Sequence, residues 1–132
     1  MNIKEKYTVI RTIYFALLSG ITLAFFFSQD VSLETIGKIS KDQYIYLLIP
    51  IVAIIISQLF FEYNVKRLKT KDENKFAEYQ TAYLIRWAIL EAAAFISIFY
   101  LQAPQINVII IIAYFILIYP TFDKFKQVIG NY

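Results

Sequence analysis

The sequence has no cysteine and no histidine. Disulfides, thiolate nucleophiles and imidazole chemistry are therefore excluded, and carboxylates are the side-chain metal ligands that remain. Glycine is scarce, at 3 residues, and no glycine-rich phosphate loop or GxSxG serine motif occurs. No cofactor-binding pattern is present. Charge is also scarce, at 17% of residues, where a soluble domain carries about a quarter. No low-complexity linker divides the chain, so its 132 residues read as one domain.

What is abundant is oil. Hydrophobic residues make up 59% of the chain, and aromatics 18%, with 11 Tyr and 12 Phe. A soluble fold of this size lacks the interior volume to hide so much apolar surface. The excess must face something other than water, and lipid is the simple candidate. Tyrosine suits a membrane–water boundary, where ring and hydroxyl are both satisfied.

A helix needs about 20 largely apolar residues to cross a bilayer. Four stretches approach this: 9–27, 44–61, 81–101 and 106–120. None shows the polar stripe of a soluble amphipathic helix. Lys4, Lys6 and Arg11 before the first run resemble the start of a signal peptide, but the run is long and three more follow. The expected fold is all-α: an integral membrane four-helix bundle, up-down-up-down, in a bacterial inner membrane.

Lysine and arginine set the orientation. Lys4, Lys6 and Arg11 precede span one; Lys66, Arg67, Lys69, Lys71 and Lys75 lie between spans two and three; Lys124 and Lys126 follow span four. The 28–43 loop has only Lys38 and Lys41, offset by Asp30, Glu34 and Asp42. Both termini are therefore expected on the cytoplasmic side, as four spans require.

The charged stretch 62–80 keeps apolar residues at Val65, Leu68, Phe76 and Tyr79. Spans two and three are thus expected to project past the lipid as a helical hairpin, with Thr70 and Glu73 as a capping box. Such a hairpin offers a docking site for a cytoplasmic partner, beside the plainer role of solvation and contact with anionic lipid. After Pro120, residues 121–130 place Phe122, Phe125 and Ile129 on one face and read as an interfacial helix.

Glu91 interrupts the apolar run RWAILEAAAF. A charge at mid-bilayer costs about 2.5–3.5 kcal/mol on insertion scales. The carboxyl is expected to be protonated, or to stand ionised beside a donor, and in either case to face protein or a wet cavity. Ser19, Thr22, Ser57, Gln58 and Tyr114 lie at similar depth on the other spans and form a candidate polar layer. Gly20, Ala88 and Ala92 are small enough for close helix packing, and Ala88, Glu91, Ala92 and Phe95 share one face. Arg86 lies about 140° around the helix from Glu91. Arg86 and Trp87 read as inner-interface anchors.

The segment YQTAYLIRWAILEAAAFISIFYL resembles a family of small four-span membrane proteins of Bacteroidetes bacteria. The shared features are Arg86, Leu90-Glu91 and Pro120-Thr121. The likeness covers the second half of the chain and implies four spans, but no activity. A weaker likeness, on Glu91-Ala92, is to the proteolipid c subunit of rotary ATP synthases. IPIVAIIISQLFF lacks the glycine-rich pattern of that family, and the chain has two extra spans.

The expected function is a non-enzymatic membrane subunit, homo-oligomeric or part of a larger complex, with the lipid bilayer as its surroundings. The alternative is a proton- or cation-coupled transporter or channel subunit using Glu91. An enzyme would have to pair Glu91 with the distant Glu62. Nucleic-acid binding is disfavoured, because the basic residues hug the ends of the spans.

Overall fold

In a computed structural model the chain is all-helical over the described residues, which are 3–28, 41–68, 75–100 and 105–129. The elements are α1 (Ile3–Ser28), a 3-10 segment (Lys41–Leu47) leading into α2 (Leu48–Leu68), α3 (Lys75–Phe95) continued by a π-helical stretch (Ile96–Tyr100), α4 (Gln105–Leu117) and α5 (Phe122–Ile129). Local chemistry supports several of these ends. Pro50 lies just after the 3-10 segment joins α2 and offers no N–H to the Tyr46 carbonyl four residues back. Lys66 and Arg67 close α2 against the negative end of its dipole, and Glu78 lies in the first turn of α3.

Three helices are long and apolar enough to cross a membrane: Lys4–Ser28, Lys41–Arg67 and Phe76–Phe99. The fourth stretch, expected over 106–120, forms a helix of only 13 residues. At 1.5 Å per residue it spans about 20 Å. It ends at Leu117 because Pro120 cannot continue the hydrogen-bond ladder and restricts the residue before it. The hairpin arms expected over 62–80 are the last turns of α2 and the first of α3. The Thr70–Glu73 capping box lies outside the described residues.

Helix α3 packs on each of the other four helices, most extensively on α2. Its inward face carries Tyr79, Tyr83, Trp87, Leu90, Ala94 and Ile98, all buried. Trp87 stacks on Tyr83 at 4.8 Å and on Phe115 of α4 at 6.1 Å, and Tyr14 of α1 lies 5.5 Å away. Large rings bury the most apolar area, which explains why this face turns inward and the alanine face does not.

The end of α4 leaves carbonyls without intrahelical donors. Tyr14 donates its hydroxyl to the Phe115 carbonyl at 2.7 Å, and Tyr7 donates to the Pro120 carbonyl at 2.7 Å. The first half of α1 is thereby fastened along the last turn of α4. Helix α5 begins with the Thr121 hydroxyl accepting the Lys124 N–H at 3.4 Å. Its Phe125 is fully buried against Tyr7, Tyr79 and Phe76. At the other end of the bundle, the buried Asn107 donates to the Tyr46 carbonyl at 2.7 Å and ties α4 to the 3-10 segment.

Much apolar surface stays uncovered. Only 17% of the apolar window of Lys41–Arg67 is buried inside the fold. Trp87→Ala removes a fully buried ring and is expected to cost about 3–5 kcal/mol. Phe27→Ala, at a position 85% exposed, is expected to stay within about 0.5 kcal/mol. Reversible unfolding of the purified protein in mixed micelles compares the two.

Candidate functional site around Arg86

Three helices bring one polar side chain each to a common point. Gln58 comes from α2, Arg86 from α3 and Tyr114 from α4. The Arg86 Nη2 donates to Gln58 Oε1, and also to the Tyr114 hydroxyl at 3.1 Å. The Tyr114 hydroxyl in turn donates to Gln58 Oε1 at 2.7 Å. Gln58 then donates its Nε2 to Glu62 Oε1 at 2.8 Å, one turn along α2. The amide carbonyl thus serves two donors, and the amide nitrogen reaches the nearest carboxylate.

Arg86 is 6% exposed, so nearly all of its charge is removed from solvent. Its guanidinium lies 4.4 Å from the centre of the Phe61 ring and 5.8 Å from that of Tyr114. Such contacts contribute about 2 kcal/mol or more when desolvated. The Nε–H has no acceptor among the described residues, and no described carboxylate forms an ion pair with Arg86. A buried cation held only by neutral acceptors and ring faces is an incomplete arrangement.

The cluster borders a cavity of about 970 Å³ between α2, α3 and α4. Tyr79 and Tyr83 also line it, with their hydroxyls 3.1 Å apart. Lys66 and Lys124 stand at its edge together with Glu62. The chemistry available is hydrogen-bond donation and positive potential. Among the described residues no three His, Cys, Asp or Glu side chains come together to hold a metal.

The residues singled out in the sequence divide sharply. Gln58 and Tyr114, expected in one polar layer, bond directly, and Arg86 donates to both of them. Arg86 and Trp87, expected as interfacial anchors, are both buried in the bundle. The reason is periodicity: Tyr79, Tyr83, Arg86 and Leu90 recur at the spacing of one helical face, and the tyrosines carry that face inward. This spacing was the signal available in the sequence. Ser57 is buried but donates to Ile54 in its own helix, and Thr22 likewise donates to Leu18. Ser19 and Gly20 are exposed on α1, and a Cβ at Gly20 would meet nothing within 4 Å.

Glu91 is partly exposed, with exposed Ala88 and Ala92 beside it. It makes no hydrogen bond or ion pair among the described residues, and it does not line the 970 Å³ cavity. The close-packing face expected at Ala88, Glu91 and Ala92 is therefore the outer face of α3. Asn107, not singled out in the sequence, is detectable there as a lone amide in an apolar run.

No protein-family model, curated protein or solved structure matches the chain.

Removing one partner of the cluster strands the others. Gln58→Leu is expected to destabilise the fold by about 1–3 kcal/mol, because Arg86 and Tyr114 lose their shared acceptor. Combined with Arg86→Leu, the two changes should be non-additive by about 0.5–3 kcal/mol in a double-mutant cycle of unfolding free energies.

Proposed function

We propose that the chain is a non-enzymatic, multi-pass membrane subunit that self-associates through the outer face of α3. In this reading the helices cross the inner membrane of a bacterium up-down-up-down, with both termini cytoplasmic. The uncovered apolar surface of Lys4–Ser28, Lys41–Arg67 and Phe76–Phe99 supports membrane insertion, since that area has no protein to cover it. Where α4 is too short, its neighbours and local bilayer thinning accommodate the difference.

The observation that carries the reading is the position of Glu91. It lies eight residues before the end of the apolar stretch Phe76–Phe99, about 12 Å along the helix. It has no partner within its own chain among the described residues. A carboxyl on the lipid side of a span is costly unless another polypeptide covers it. Ala88 and Ala92 flank it with small side chains, which allow a second helix to come close. A two-fold pairing of α3 with α3 would set one Glu91 carboxyl against the other, where the two hydrogen-bond when at least one is protonated. Among the described residues no cation pairs with Glu91. Arg86 faces inward to Gln58 and Tyr114, and Lys6, Arg11, Lys66, Arg67 and Lys124 lie toward the opposite end of the bundle's long helices.

Transport of protons or cations through Glu91 has less support, because the carboxyl lies apart from the cavity that would have to supply a wet path. That reading would require pH-dependent flux in proteoliposomes that Glu91→Gln abolishes.

The chain has no native cysteine, so single-cysteine variants report cleanly. Ala88→Cys or Ala92→Cys in native membranes is expected to give disulfide-linked dimers on mild oxidation, with Tyr63→Cys on α2 unlinked. In that background Glu91→Gln should preserve cross-linking, since Gln still hydrogen-bonds, and Glu91→Leu should reduce it. Absence of any cross-link from either alanine position sinks the proposal. Cross-linking only to a different polypeptide replaces the homo-oligomer with a hetero-complex.

A further inference from the structure

We propose that the cavity beside Arg86 is a binding site for an amphiphile with a phosphate head and an apolar tail. It is independent of self-association, since Ala88, Glu91 and Ala92 do not line the cavity.

The first argument is charge. Arg86 is 94% removed from solvent, by its 6% exposure, and its Nε–H points to no acceptor among the described residues. Lys66 and Lys124 at the rim add charge of the same sign. The one carboxylate in the lining, Glu62, is exposed and held by the Gln58 amide at 2.8 Å. The lining therefore carries three cations against one anion and calls for a ligand with about two negative charges. A phosphomonoester carries about −1.5 to −2 at neutral pH. A guanidinium presents a planar fork that matches phosphate oxygens, and lysines add point charge around it.

The second argument is hydrogen-bond supply. The Tyr79 and Tyr83 hydroxyls share one hydrogen bond, at 3.1 Å. Whichever donates, the proton of the other remains available. With the buried Arg86 Nε–H, this leaves two donors without an acceptor among the described residues, both on residues that line the cavity, which suits an acceptor-only ligand.

The third argument is shape. A volume of about 970 Å³ lies at the upper end for small-molecule sites, more than a free phosphate needs. Leu59 and Leu117, which are 62% and 82% exposed, border the cavity with Ile55. These side chains belong to the uncovered apolar faces of α2 and α4, so a tail leaving the cavity passes directly onto surface that needs covering. Burial of each methylene there contributes about 0.8 kcal/mol.

The chain carries its own reporter. Trp87 is the only tryptophan, and it stacks at 4.8 Å on Tyr83, which lines the cavity. The full chain in a non-ionic detergent is titrated with dioleoyl phosphatidic acid, with Trp87 emission and native mass spectrometry as readouts. A saturable emission change and a one-to-one adduct are expected. Arg86→Gln should weaken binding by about tenfold or more, the loss expected for hydrogen bonds to a charged group. Because that variant could also disturb folding, Lys66→Gln/Lys124→Gln provides a second test at two exposed positions. It should weaken binding by a smaller factor and reduce its salt dependence. Unchanged affinity in the lysine pair overturns the proposal, as does equal binding of phosphatidylcholine. Inorganic phosphate that competes at the same concentration overturns the amphiphile in favour of free phosphate. Oleate binding as tightly as phosphatidic acid overturns the phosphate head.

Discussion

The constraint on which the structure turns is the burial of one guanidinium. Arg86 leaves water almost completely, and several kilocalories per mole of desolvation must be offset by whatever surrounds it. The fold answers with neutral groups: the Gln58 carbonyl, the Tyr114 hydroxyl and the faces of Phe61 and Tyr114. Because these come from three different helices, satisfying the charge also fixes how α2, α3 and α4 sit around one another. No element can rotate without removing an acceptor from a buried cation.

The aromatic core performs the complementary task. Trp87, Tyr83, Tyr14 and Phe115 form a contiguous stack through α1, α3 and α4. Apolar contact alone is a poor orienting force between helices whose outer surfaces are also apolar. The directional bonds of Tyr14 and Tyr7 to the Phe115 and Pro120 carbonyls supply what area burial lacks. They also satisfy the frayed end of α4, which Pro120 leaves without a continuing ladder. The short fourth helix and the tyrosine hydroxyls that hold it are parts of one arrangement.

Arg86 and Glu91 invert the roles that their chemistry first suggests. A midspan carboxylate looks like the interior group, and an arginine at the start of an apolar run looks like an anchor. Five residues of helix separate them by about 140°, so one cannot face inward without the other turning away. The larger rings lie with Arg86, at Tyr79, Tyr83 and Trp87, and they decide which side is buried. Glu91 is left with Ala88 and Ala92 on the outer face. The two ionisable groups thus belong to different surfaces, one lining a cavity and the other displayed along the helix.

The amino-acid order by itself determined that the chain is helical, that it carries several long apolar runs, and that Gln58 and Tyr114 are exceptional polar residues within such runs; it also suggested four spans, where three helices have the length to cross a membrane and the fourth does not. These follow from composition, run length and the scarcity of polar groups, which are properties of a segment alone. The angular relation of Arg86 to Glu91 was also fixed, since helix geometry does not depend on neighbours. Which of the two faces inward was not, because that depends on the summed burial of rings contributed by other helices. Likewise, a run of apolar residues through 119 gave no indication that Tyr14 and Tyr7 would secure the broken end of α4. Only the tertiary structure could decide these points: a side chain's partners come from residues distant in the chain, and their positions are set by packing.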